Sequence, residues 1–170
     1  MIIKWIGVML IISGSGAIGL FMASKHQKEI NNMRLMIRSL NHMSCELQYR
    51  LTPLPDLCRS AANEITGPIK SVLLDLATEL DHQIFPDVSA CMESVLYDKS
   101  YLPELTLQCL RQLGASLGKF DLEGQLLGID AVRTVCKGHM DMLEKNKEIR
   151  IRNYQTLSLC AGAALAIILV

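Results

Sequence analysis

The chain of 170 residues is half hydrophobic, only 5% aromatic, and carries no formal net charge at neutral pH. That length suits one domain with a sizeable core. The apolar mass is mostly Leu, Ile, Met and Ala, which favours helices over strands, and the neutral balance argues against bulk attraction to nucleic acid.

Residues 2–22 form an apolar run whose one charge, Lys4, sits at its start. About 20 helical residues cross a bilayer core. A cleaved signal peptide is the rival reading, but Met22-Ala23-Ser24 is a poor cleavage site, which favours a retained anchor. From Ile30, the positions Met33, Ile37, Leu40, Ser44, Leu47, Leu51 and Leu54 recur at steps of three and four. This predicts a heptad seam along one long helix. Thr52 reads as an N-cap with Pro53 at the first position of a second helix, ending near Glu64. Gly67-Pro68 opens a third helix, Pro86 a fourth and Pro103 a fifth. Gly118 reads as a C-cap, and Asp121 as the N-cap of a last helix. No proline follows Leu122, so that helix is expected to run on for about 70 Å, with Gly124, Gly128 and Gly138 as weak points. Residues 157–170 are uniformly apolar and end the chain. Fourteen helical residues reach only about 21 Å, so this is a short span or a deeply embedded tail. The expected organisation is an N-terminal transmembrane anchor (1–24), a helical-bundle domain (25–156) and a C-terminal transmembrane segment (157–170).

Charge is unevenly placed. Residues 25–50 and 133–152 each carry +3, whereas residues 51–132 carry −7. Both basic stretches lie on the domain side of the apolar ends, and the positive-inside rule then puts the central domain in the cytoplasm. The bilayer itself is thus an expected partner. The acidic middle serves either solubility or attraction of a basic partner.

Candidate chemistry is sparse. Gly14-Ser15-Gly16-Ala17-Ile18-Gly19 matches a dinucleotide fingerprint, but no strand precedes it and it lies in an apolar run. Its small residues, with Ser15 and Gly19 four apart, suit close helix packing instead; Gly162 and Ala166 offer the same surface on the last segment. The six cysteines form no C-x-x-C pair and read as small buried hydrophobes in a reducing compartment. The four histidines form no zinc-binding pair and read mostly as solvated surface; Glu64, Asp75 and Glu79 read as a solvated acidic face. With neither a Walker A loop nor a nucleophile motif, the chain reads as a non-enzyme without cofactor or metal.

Two stretches, SLNHMSCELQYRLTPLPDL and LGASLGKFDLEGQ, together with the long helix and terminal apolar segment that follow, resemble the stage III sporulation protein AB family of endospore-forming bacteria. That family is related to the inner-membrane platform protein of type II secretion systems and type IV pili. The resemblance implies a single platform-type bundle of about six helices and a place in the transport assembly joining mother cell and forespore. It implies as partners a secretion-type ATPase of the same operon and channel-forming membrane proteins, and it is compatible with a homo-oligomer. The implied location is the mother-cell membrane facing the forespore, with the domain cytoplasmic. The first motif falls on Glu46, Tyr49, Thr52, Pro53 and Leu54, and the second on Gly114, Leu117, Gly118, Asp121, Glu123 and Gln125. Structural roles are expected for most of these, and Glu46 and Tyr49 are the better candidates for a buried polar contact or a partner surface. Lys119-Phe120 departs from the polar family pattern, and Phe120 is expected to act as a hydrophobic staple. The expected function is a non-catalytic scaffold that docks the ATPase to the channel. The alternative is a membrane sensor or receptor subunit whose helical domain lies outside the cytoplasm.

Overall fold

The structure is a computed structural model that describes residues 27–83, 85–118 and 121–169, with side chains of the last helix as far as Lys145. The N-terminal anchor with Ser15 and Gly19 and the Phe120 staple lie outside the described residues, and the helix-packing positions Gly162 and Ala166 lie on the last helix beyond Lys145, where no side chain is described. The chain divides into two units, of which Glu29–Met140 is the bundle treated below. Among the described residues there are six helices and no strand: α1 (residues 27–50), α2 (Leu54–Asn63), α3 (Pro68–His82), α4 (Val88–Tyr97), α5 (Glu104–Ser116) and α6 (Leu122–Leu169).

Local chemistry starts most of these helices. Asp87 accepts a hydrogen bond from the Ala90 N–H at 2.7 Å, and Asp121 accepts one from the Gly124 N–H at 3.0 Å. Each side chain thus satisfies an orphan donor of the first turn. Pro68 begins α3 behind Gly67, whose φ of +80° suits glycine. At the end of α5, Gly118 takes φ +76° one residue past the cap, the usual place for a left-handed glycine.

Two expectations are corrected at the α1–α2 connection. Thr52 does not cap α2: Pro53 holds the N-cap position, α2 begins at Leu54, and the Thr52 hydroxyl donates to Glu46 Oε2 at 3.1 Å. A carboxylate on the preceding helix has captured the hydroxyl that would otherwise turn back to the backbone. The seam also departs from its expected register. Ile30, Met33, Leu40 and Leu47 are buried as expected, but Met36 and Met43 fill the interior where Ile37 and Ser44 were expected. Leu51 leaves the seam because α1 ends at residue 50.

The helices run alternately up and down. Chain neighbours pack α2 on α3, α3 on α4 and α4 on α5. His42 is hydrogen-bonded to Ser60 across α1 and α2 at 2.7 Å, and the Arg133 guanidinium donates to Asn41 Oδ1 across α6 and α1 at 3.1 Å, closing the bundle. One core results, rich in methionine at Met33, Met36, Met43 and Met92 and in leucine at Leu73, Leu76, Leu110 and Leu113. Burying such side chains is the main drive to fold. Among the described histidines only His82 is exposed; His42 and His139 are half-buried, so the solvated reading is corrected for both. Of the acidic residues singled out, Asp75 pairs with Lys99 at 2.7 Å and Glu64 with Arg38 at 3.5 Å.

α6 is one helix of 48 residues that passes Gly128 and Gly138 without a break, about 72 Å at 1.5 Å per residue. Among the described residues, no helix is long and apolar enough to cross a membrane.

Candidate docking site at the motif end of the bundle

α1 carries the chain from residue 29 to its end at residue 50, and α6 brings it back from Leu122. The α1–α2 and α5–α6 connections therefore meet at the end of the bundle remote from both Glu29 and Met140. This is where the two sequence motifs come together. A Cβ built on Gly118 would lie 3.4 Å from Leu54 Cδ1 and 2.7 Å from Val88 Cγ2. Leu47, Leu51, Thr52, Pro53 and Leu54 of the first stretch line a shallow groove of about 260 Å³ with Leu122 and Gln125 of the second. A second groove of about 340 Å³ shares Leu54 and is lined also by Phe85, Pro86 and Gly118.

Most motif residues are structural. Glu46, only 15% exposed at its side chain, accepts from Thr52 and pairs with Arg50 at 3.4 Å, tying the end of α1 to the connection. Gly114 lets α5 cross close to α4, because a Cβ there would stand 2.6 Å from Met92 Cβ. Leu117 is fully buried and Asp121 caps α6. Pro53 and Leu54 start α2, Glu123 lies exposed in the first turn of α6, and Gln125 is half-buried against the groove.

Tyr49 and Leu51 differ. Tyr49 is 79% exposed and Leu51 is 68% exposed with φ +51°. A left-handed conformation costs a bulky L-residue about 1–2 kcal/mol, and glycine is the usual occupant just past a helix end. Leu51 is thus both strained and set out in water. Sequence reasoning placed it in the core seam and missed it. The signal was the run Tyr49-Arg50-Leu51-Thr52-Pro53, in which the proline forbids continuation of α1.

A second cluster of chemically active groups lies between α5 and α6. Cys109 Sγ is 3.8 Å from His139 Nδ1, with the Cys136 thiol beside it. The Cys136 thiol and, to a lesser degree, His139 pull the Cys109 thiol down to about 6. Cys136, beside that sulfur and buried, is pushed up. Burial pushes Cys58 up to about 12. The five described cysteines are free thiols; four are buried, whereas Cys45 is exposed, against the expectation of uniform burial. No group of three or more His, Cys, Asp or Glu side chains among the described residues is arranged to hold a metal ion.

Residues 4–170 match the profile of stage III sporulation protein AB. The chain belongs to the stage III sporulation protein AB family. Membership gives it a role in sporulation. A solved structure of a stage III sporulation protein AB superimposes with a TM-score of 0.63 at 21% identity, covering 72% of this chain and 98% of that one, so the two share the helical-bundle fold. No curated protein matches the sequence.

Proposed function

We propose that the protein is a non-catalytic platform subunit of the sporulation transport complex that joins mother cell and forespore. The apolar ends anchor it in the mother-cell membrane facing the forespore, and the central bundle lies in the cytoplasm. There it docks a secretion-type ATPase of the same operon, while the membrane segments meet channel-forming proteins. Family membership supports the setting, and the basic stretches at 25–50 and 133–152 support the orientation. The observation that carries the docking role is the meeting of both family motifs at one end of the bundle, remote from the residues that lead toward the anchors. α6 carries the chain from the docking surface toward the membrane segment.

The experiment is co-purification. Tagged full-length protein is extracted in detergent from sporulating cells and probed for the ATPase. Recovery of the ATPase in stable proportion supports the platform reading. Its absence, with the channel proteins also absent, contradicts it.

A further inference from the structure

Cys109 of α5 and Cys136 and His139 of α6 form a cluster that the docking role does not use. Cys136 and His139 stand three residues apart, on one face of α6. That face meets α5, where Cys109 Sγ lies 3.8 Å from His139 Nδ1 with the Cys136 thiol beside it. Both cysteines are fully buried, whereas His139 is half-buried and its neighbours Lys137 and Gly138 are exposed. The cluster therefore lies at the edge of the core. It is close to Met140, at the end of the bundle remote from the motif groove.

Packing alone does not call for this set. Leu110 and Leu113 of α5 and Ile129 and Val132 of α6 already supply buried apolar bulk. A thiol beside a base, with a second thiol in reach, is the arrangement of a sulfur that reacts. Two other buried thiols have the opposite setting. Burial pushes Cys58 up, and burial together with the Glu79 and Asp87 carboxylates pushes Cys91 up. Cys109 is pulled down by Cys136 and then by His139, which favours its thiolate.

We propose that Cys109 and Cys136 are a peroxide-sensitive dithiol, oxidised by a small hydroperoxide to a disulfide that ties α5 to α6, with His139 carrying the proton. Burial of both sulfurs selects a reagent close to water in size. His139 Nδ1 takes the Cys109 proton. The thiolate attacks one peroxide oxygen, so an S–O bond forms and the O–O bond breaks. The leaving hydroxide takes the proton from His139 and departs as water. Cys109 is then a sulfenic acid, which condenses with a neighbouring thiol. The Cys136 sulfur attacks Cys109 Sγ, the S–S bond forms and the S–O bond breaks. The hydroxide leaves with the Cys136 proton as a second water. The two thiols supply the two electrons that reduce the peroxide. A dithiol reductant reverses the cross-link by exchange.

The test uses the purified full chain in detergent, with hydrogen peroxide as the probe. Remaining thiols are blocked after unfolding, and the digest is read by mass spectrometry. Wild type is expected to yield a peptide pair joined through Cys109 and Cys136, two hydrogens lighter than the thiols and cleaved by dithiothreitol. Its melting temperature is expected to rise by several degrees on oxidation, because the bridge closes the loop between α5 and α6. Cys136→Ser is expected to stop at a Cys109 sulfenic acid, which dimedone traps. His139→Gln is expected to slow cross-linking at least about tenfold while melting within a few degrees of wild type. If peroxide oxidises the exposed Cys45 of the folded chain while Cys109 and Cys136 stay thiols, the pair is core packing and the inference is overturned. Cross-linking that occurs only after unfolding overturns it as well. A His139→Gln chain that cross-links at the wild-type rate overturns the role given to the imidazole.

Discussion

Gly114 and Gly138 invite the same substitution with opposite results. Gly114→Ala places a methyl group 2.6 Å from Met92 Cβ, 3.0 Å from its Cγ and 3.5 Å from the Val88 carbonyl oxygen. Met92 is fully buried, and its Cβ is fixed to the α4 backbone, so no flexible chain end can yield. The two helices have to separate by roughly 1 Å, and overpacking of this kind costs about 1–3 kcal/mol. Against it stands the gain from replacing a helical glycine, up to about 1 kcal/mol. The net expectation is a loss of about 1–2 kcal/mol. Gly138→Ala has nothing within 4 Å of the new methyl group and sits exposed inside α6, so only the gain of about 1 kcal/mol remains. A chain of this size shifts its midpoint by about 2–4 °C per kcal/mol. Thermal unfolding of the full chain in detergent, followed by circular dichroism, should show Gly114→Ala melting below wild type and Gly138→Ala above it. A Gly114→Ala protein that melts at or above wild type would refute the close α4–α5 crossing.

Other outcomes follow from single groups. The Thr106 hydroxyl is buried with no hydrogen-bond partner among the described residues, so Thr106→Val is expected to stabilise the chain by about 1 kcal/mol; chemical denaturation reads it. Thr52→Val removes the hydrogen bond to Glu46 and should cost about 1 kcal/mol in the same assay. The Cys109 thiol, held down at about 6 by the Cys136 thiol beside it, favours the folded state once ionised. Its contribution is fully present above the ordinary thiol range near 9 and is lost as pH falls toward 6. The stability gap between wild type and Cys109→Ala should therefore widen from pH 6 to 9, and a constant gap contradicts the pairing with Cys136.

Helix starts were legible in the sequence where a rigid or capping residue acts locally. Pro68, Pro103 and Asp121 stand at or beside the first residue of a helix, whereas the fourth helix, expected to open at Pro86, begins at Val88 behind the Asp87 cap. The unbroken α6 was legible as well, because no proline interrupts it. What was hidden depended on partners distant in the chain. Glu46 takes the Thr52 hydroxyl away from its expected capping role, and Ser60 and the buried Cys109 give His42 and His139 partners that no spacing reveals. The seam on α1 blurred because methionine is flexible enough to fill either side: Met36 and Met43 turn inward where Ile37 and Ser44 fitted the heptad. At the candidate site, the two motifs were visible as strings of residues. Their meeting at one groove, and the outward turn of Leu51, follow only from the antiparallel return of α6 beside α1.

The orientation of the bundle is tested most directly through Cys45, the exposed thiol among the five described cysteines. In a Cys160→Ser background, intact cells are treated with a membrane-impermeant maleimide, then lysed and treated again. The platform account predicts no label on Cys45 until lysis, followed by rapid reaction while the buried thiols stay unmodified. Labelling of Cys45 in intact cells would place the bundle outside the cytoplasm, remove any contact with a cytoplasmic ATPase, and contradict the account.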